Sequence, residues 1–181
     1  MQSIVTAIDH PWRERIEDAW GEIKALFNLR RELAGQTEPR IVLQVAAGYG
    51  AGVSRLLGTV AAATPRFEVQ TGAPAILKGP RYLIYVPVEA SDELTALHAR
   101  LWHEAAPMAQ AVKRAYAPAT WAPHLTLAMG HLPEAILPEL QQFLSVRDWR
   151  WRLPIGNLCL VPDDASHVTP WTRFDLADAA G

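Results

Sequence analysis

Apolar and polar positions alternate with period two in some stretches and recur every three or four residues in others, so strands and helices can be read directly. Residues 3–8 predict an opening strand. Asp9-His10-Pro11 then changes the period, with Asp9 as the expected helix cap and Pro11 in the first turn. Trp12, Ile16, Trp20, Ile23 and Phe27 follow as one stripe of an amphipathic helix, which suits core packing better than a ligand box. Residues 30–38 are polar and predict a surface connection. Residues 40–45 form a second strand, running through Ala46-Ala47-Gly48-Tyr49-Gly50-Ala51-Gly52 into a helix marked by Val53, Leu56, Leu57 and Val60 and ending near Pro65. Residues 67–71 alternate, Gly72, Pro74 and Gly79-Pro80 mark turns, and residues 82–88 alternate again. Ser91 caps a third helix carrying Leu94, Leu97 and Leu101, which Pro107 interrupts; residues 108–116 are expected to continue as a separate helical piece. Residues 124–129 predict the central strand. Ile136, Leu140, Phe143 and Leu144 mark a fourth helix that Pro138 starts late or breaks. One or two strands over 150–161, a loop over 162–167 and a closing strand over 171–176 complete the chain, with 177–181 expected to fray.

The order strand, helix, strand, strand occurs twice, over residues 40–45, 53–63, 67–71 and 82–88, and again over 124–129, 134–144, 150–161 and 171–176. The leading strands align residue by residue: Pro39-Arg40-Ile41-Val42-Leu43 with Pro123-His124-Leu125-Thr126-Leu127. Two lobes facing each other would bring these strands to a central cleft, with Arg40 and His124 across it. Alternation puts His124 and Thr126 on one face while Leu125 and Leu127 plug the other. An imidazole that moves a proton near neutral pH, beside a hydroxyl that can hold an oxyanion, suits phosphoryl chemistry. A strand end with polar residues facing water is the plain alternative for a lone His-x-Thr, and an exposed charge is the plain alternative for Arg40.

Composition narrows the field. The 181 residues are half hydrophobic and one-fifth charged, with net charge −2 and pI about 6.3, so a single bilobal domain spanning residues 1–181 is expected. That charge balance argues against a broad grip on duplex nucleic acid. No apolar run is long enough to span a bilayer and no leader pattern opens the chain, so no membrane contact and a cytoplasmic location are expected. The single cysteine, Cys159, excludes an internal disulfide and a multi-cysteine metal site, and fits a small core residue. His98 and His103 stand five apart and face different ways; His10 reads as a helix-start residue, and His131 and His167 as loop residues that are the outside candidates for a second histidine at the cleft. No metal-ligand spacing and no nucleophile triad emerges.

Over nearly the whole chain, the paired leading strands, the opening strand and helix, and the closing Thr169-Pro170-Trp171-Thr172-Arg173-Phe174-Asp175-Leu176 resemble the two-histidine (2H) phosphoesterase superfamily. That superfamily includes 2′–5′ RNA ligase-like proteins and cyclic phosphodiesterases. The resemblance implies an α+β fold of two similar lobes, each a small mainly antiparallel sheet with helices on its outer face, around a central cleft. It also implies one His-x-Thr per lobe, one histidine as general base and the other as acid on a phosphodiester, often a 2′,3′-cyclic phosphate. The threonines would hold phosphate oxygens, and neither metal nor cofactor is required. His124 and Thr126 match the second motif. The first is replaced by Arg40-Ile41-Val42: arginine cannot exchange a proton near neutral pH and valine has no hydroxyl, although Arg40 is a strong phosphate donor.

Three functions follow as expectations. One is a metal-independent phosphodiesterase, with His124 and Thr126 catalytic and Arg40 binding a nucleotide-like or RNA-terminal phosphodiester. The second is an impaired relative that binds a small phosphorylated ligand, nucleotide or RNA end without turning it over. The third is an S-adenosylmethionine-dependent methyltransferase, because residues 42–50 resemble that family's strand and glycine-rich turn, with Gln44 at its acidic position and Ala46 at its first glycine.

Overall fold

The computed structural model describes residues 1–29, 38–162 and 171–178. Its elements are β1 (Gln2–Ala7), α1 (Trp12–Phe27), β2 (Arg40–Ala46), β3 (Gly48–Tyr49), α2 (Val53–Ala62), β4 (Phe67–Gln70), β5 (Ala75–Leu77), β6 (Tyr82–Pro87), α3 (Asp92–Ala105), β7 (Ala109–Gln110), β8 (His124–Gly130), α4 (Leu137–Ser145), β9 (Arg152–Ile155), β10 (Asn157–Pro162) and β11 (Thr172–Asp175). Single 3-10 turns occupy Ala106–Met108, Arg114–Tyr116 and Glu134–Ile136. The fold is α+β with a mainly antiparallel sheet, as the sequence implies.

Seven strands lie in the order β11-β10-β1-β2-β8-β6-β5, every pairing antiparallel. The two leading strands, β2 and β8, meet at the centre through one register pair, Ile41 opposite Leu125. On either side of that join the registers correspond. Val5 faces Val42 and Ala7 faces Arg40 in β1–β2; Tyr85 faces Thr126 and Pro87 faces His124 in β6–β8. Each ladder has a bulge at the same point, skipping Leu43 on β2 and Leu127 on β8. The strand ends match as well: Ile8 N–H donates to the Pro39 carbonyl and Val88 N–H to the Pro123 carbonyl, both at 2.9 Å. A bulge bends its strand and raises the local twist, so both leading strands curve alike.

These correspondences correct the frame of the repeat. Tyr82–Pro87 is the counterpart of the opening strand Gln2–Ala7, not of the closing strand. The leading strands and the helices behind them keep the expected match. Each half thus runs strand, helix, strand, helix, strand, strand, and the last strands are exchanged: β5 pairs with β6 of the second half, β10 with β1 of the first. β4 and β9 pair directly, Phe67 opposite Ile155 and Gln70 opposite Arg152. This exchange makes the halves mutually dependent.

The core forms on the sheet face carrying Ile4, Ile41, Leu43, Ile84, Leu125 and Leu127, all at most 1 % exposed, against Ile16, Ile23, Leu57, Leu94, Leu101 and Leu140 from the helices. A smaller cluster of Val5, Ala7, Cys159 and Val161, with Val42 and Trp171 against it, covers part of the other face. Burial raises the Cys159 thiol to about 11, fitting its place as a core residue.

Some local expectations change. Asp9 does not cap α1: Pro11 holds that position with no side-chain cap, and the Asp9 carboxylate takes two hydrogen bonds from Arg173 and one from Asn157. Ion pairing across the sheet edge outcompetes the local cap. Ser91 does cap α3, its Oγ accepting from Leu94 N–H at 3.3 Å, and α4 starts late with Pro138 in its first turn. The Gly72–Pro80 region contains a strand, β5, and residues 108–116 form β7 and a 3-10 turn in place of the expected helix. Of the end expected to fray, Ala177 is held by hydrogen bonds with Ala61, Thr64 and Arg66, and 179–181 lie outside the described residues. The predicted connection over 30–37 and the loop over 163–167, with His167, lie outside the described residues.

Candidate functional site

Where β2 and β8 part beyond Ile41 and Leu125, a cavity of about 360 Å³ opens between them, lined in part by Ile16 and Trp20 of α1. Arg40 and Val42 line it from β2, His124 and Thr126 from β8, all half-buried. Polar side chains of Ser3, Lys113 and Tyr116 and apolar Val45, Leu83 and Met129 complete much of the wall. The bulges explain why Val45 and Met129 share a face with Val42 and Thr126, since one skipped residue restores the side-chain direction three positions on.

Thr126 and Val42 owe their positions to indoles behind the strands. Trp20 on α1 donates its Nε1–H to the Thr126 carbonyl at 3.1 Å, and Trp121 donates to the Val42 carbonyl at 2.9 Å. Because the β2–β8 ladder has one register pair, backbone groups beyond it need partners from elsewhere. The Trp121 ring stacks on His98 at 3.8 Å between centroids and 3° between planes. His98, 2 % exposed, donates Nε2–H to the Tyr116 carbonyl at 3.0 Å. Burial holds the His98 imidazole below its ordinary pKa, while the carbonyls of Tyr116 and Leu43 pull it the other way. His98 is thus a neutral brace beneath the cavity wall.

His124 Nδ1 lies 2.8 Å from the Ala122 carbonyl. A carbonyl only accepts, so Nδ1 carries the proton and Nε2 is the nitrogen left to meet a ligand. The ring packs edge-on to Tyr85 at 5.5 Å, which fixes its plane. Arg40 sits over the Trp171 ring at 5.3 Å and reaches the Glu38 carbonyl at 3.4 Å. Burial pushes the Tyr116 phenol up and the positive charge of Arg40 draws it partly back; the hydroxyl is a donor at neutral pH.

The cavity therefore gathers Arg40, His124 and Thr126, the residues singled out from sequence, and adds Lys113, Tyr116 and Ser3, which were not, while Tyr85 backs His124 from outside its wall. Lys113 and Tyr116 carry no local signal, because their segment reads as helical and its contacts are long-range. Ser3 and Tyr85 were within reach: each stands on the alternating face beside a leading strand. The other described histidines lie elsewhere. His10 pairs with Glu14 at 3.3 Å on the surface, and His103 and His131 are exposed and outside the cavity wall. Among the described residues no group of three or more His, Cys, Asp or Glu is arranged to hold a metal ion, and no helix is long and apolar enough to cross a membrane.

The glycine-rich turn does not open toward a cofactor. Gly48 and Tyr49 pair with β7, and the Ala47 and Gly50 N–H groups donate to the Gln110 and Met108 carbonyls at 2.8 and 2.9 Å. Tyr49 N–H is taken by Gln2, and the Tyr49 hydroxyl donates to Gln44 Oε1 at 2.9 Å inside the protein. A Cβ on Gly52 would lie 2.6 Å from the Met108 methyl. The backbone donors of Ala47, Tyr49 and Gly50 are taken by the protein itself, and the sheet is antiparallel where a methyltransferase needs a doubly wound parallel one. The methyltransferase reading is withdrawn.

Compared with known proteins, residues 14–166 match the model of the 2′–5′ RNA ligase superfamily. The chain belongs to that superfamily. A solved structure, TT0787 of Thermus thermophilus, shares the fold of this 2′–5′ RNA ligase superfamily member, with a TM-score of 0.59 over 99 % of both chains at 14 % identity. No curated protein matches in sequence. Within the superfamily frame, the β8 half keeps its His-x-Thr, and the β2 half carries Arg40 and Val42 at the corresponding positions of the same bulged strand.

Proposed function

We propose that this chain is a divergent 2H phosphoesterase that binds a nucleotide-like or RNA-terminal phosphodiester, such as a 2′,3′-cyclic phosphate, and hydrolyses it slowly without a metal. The observation that supports this most is the hydrogen bond from His124 Nδ1 to the Ala122 carbonyl, which reserves Nε2 for proton transfer beside Thr126 and Arg40. His124 Nε2 takes a proton from water as the water oxygen bonds to phosphorus. The P–O bond to one ribose oxygen breaks, and that oxygen takes a proton from solvent. Thr126 donates its hydroxyl hydrogen to one phosphate oxygen, and Arg40 stabilises charge on another. With no second histidine among the described residues of the cavity wall, the rate should fall about 10²–10⁴ below that of an intact pair. A single cysteine and an RNA-end substrate together suit a cytoplasmic protein.

A second reading is favoured by one specific fact: His124 is the sole histidine among the described residues lining the cavity. On that reading the protein holds the phosphate and does no chemistry. A panel of 2′,3′-cyclic nucleotides and 2′–5′-linked dinucleotides separates the two. Turnover by the wild type that His124→Ala abolishes supports the enzyme. Binding that depends on Arg40, with the compounds left intact, supports the binder. Neither turnover nor binding refutes both.

A further inference from the structure

The segment that follows α3 is laid along the side of β2 that β8 leaves. β8 meets β2 through the single register pair of Ile41 and Leu125, so backbone groups farther along β2 need other partners. They find them in antiparallel order. Gly50 N–H donates to the Met108 carbonyl at 2.9 Å and Ala47 N–H to the Gln110 carbonyl at 2.8 Å. Lys113 N–H then donates to the Val45 carbonyl at 2.8 Å, and Trp121 Nε1–H to the Val42 carbonyl at 2.9 Å. The chain between those last two anchors therefore runs beside residues 42–45, in the place a paired strand would take. Tyr116 lies in it. Its N–H donates to the Lys113 carbonyl at 3.1 Å, and its carbonyl accepts from Nε2 of buried His98 at 3.0 Å. The backbone is thus held on both sides of a side chain that lines the cavity together with Val42. That side chain is half-buried, and its hydroxyl has no hydrogen bond to any described residue.

Resting on the reading of this cavity as a phosphate site, we infer that the Tyr116 hydroxyl donates a hydrogen bond to a phosphate oxygen of the bound phosphodiester. It does from the neighbouring segment what a threonine at position 42 would do from β2. The half built on β8 carries its hydroxyl on the strand itself, as Thr126. The half built on β2 has apolar Val42 at the matching position, opposite Val5 as Thr126 is opposite Tyr85. Tyr116 returns a hydroxyl to that part of the wall. Burial raises the phenol above its ordinary pKa against the pull of the Arg40 charge, so its proton is in place at neutral pH. A phenol donates to a phosphate oxygen as an alcohol does. The other hydroxyl on the β2 side, Ser3, faces Val45 instead, three residues along the strand.

The test is titration calorimetry with 2′,3′-cyclic AMP, using His124→Ala as the parent protein so that the compound stays intact. Tyr116→Phe removes the hydroxyl and keeps the ring. It should weaken binding roughly 10- to 150-fold, the range of one hydrogen bond to a charged group. The melting temperature should stay that of the parent, since the hydroxyl has no partner among the described residues of the free protein. Adding Val42→Thr to Tyr116→Phe should recover at least about tenfold of the lost affinity. The gain from Val42→Thr should also be larger there than with Tyr116 present, because the two hydroxyls serve one phosphate oxygen. A tyrosine that only supports the fold would not be replaced by a threonine on another element, so the rescue separates the two roles. Undiminished affinity in Tyr116→Phe, or a loss that Val42→Thr leaves in place, would overturn the inference while leaving the phosphate reading standing. A parent protein that binds neither the cyclic compound nor inorganic phosphate would overturn both.

Discussion

Thr126 and Val42 differ by one hydroxyl, so the position on β8 can donate a hydrogen bond into the cavity and its counterpart on β2 cannot. Thr126→Val removes the donor and keeps the branched shape against Trp20 and the strand. A hydrogen bond to a charged group is worth about 1.5–3 kcal/mol, so kcat/KM for a 2′,3′-cyclic nucleotide should fall roughly 10- to 150-fold. Thermal stability should change little, because the Thr126 side chain is half-buried and has no hydrogen bond of its own to the rest of the described chain. A drop in melting temperature comparable to the loss of rate would show a structural role instead. One residue away the expectation reverses. Leu125 is 1 % exposed and sits opposite Ile41 in the pair that joins the two halves of the sheet. Leu125→Ala should cost about 2–5 kcal/mol, read as a lowered urea midpoint, and impair activity through the fold. That contrast was legible in the sequence, since alternation alone assigns His124 and Thr126 to one face and Leu125 and Leu127 to the other.

At the scale of elements, the brace under the cavity has a pH signature. His98 is buried and its folded pKa lies below the ordinary value of 6.5. The unfolded chain therefore binds more protons once pH drops below about 6.5, and stability falls with pH until the lowered folded value is passed. Urea midpoints at about pH 7.5 and pH 5 should show a loss in the wild type that shrinks in His98→Gln, which keeps a donor for the Tyr116 carbonyl but does not titrate. An equal loss in both proteins would assign the acid sensitivity to other groups. Asp9 does not confuse the window: the hydrogen bond from Arg173 lowers its carboxyl below 3.8, so its contribution is lost in more acid solution. The long periodic elements around this brace were readable, and two short ones were not. β5 has three residues between glycine and proline turns, and it is a strand because Tyr82–Pro87 pairs with it. Residues 108–116 have a helix-compatible composition, but Pro107 ends α3 and β3 captures Ala109 and Gln110. Contacts distant in sequence decide both cases. The second miss hid Lys113 and Tyr116 from the site.

The molecule as a whole is two matching halves whose final strands are exchanged, and this symmetry makes the missing motif restorable. Sequence alone found the matched leading strands, but it placed Tyr82–Pro87 at the end of a half, because only the ladder registers reveal that this strand repeats Gln2–Ala7. Equivalent register has a chemical consequence. Arg40 faces Ala7 as His124 faces Pro87, Val42 faces Val5 as Thr126 faces Tyr85, and the same bulge follows in each strand. Side chains placed at 40 and 42 must therefore leave β2 in the directions that His124 and Thr126 leave β8. The double substitution Arg40→His with Val42→Thr should supply the absent proton-transfer group and the absent hydroxyl together. Hydrolysis of a 2′,3′-cyclic nucleotide should rise about 10²–10⁴-fold over wild type, and its pH–rate profile should become bell-shaped, with an acid and a base both required. Adding His124→Ala to this background should abolish the gain, since the two imidazoles would act on one phosphate from opposite sides. Neither position is fully buried, so the double variant should fold with a melting temperature near that of the wild type. A folded double variant with unchanged rate and profile would mean that the two halves do not address a common phosphorus atom, and the symmetric reading of the cavity would fall with it.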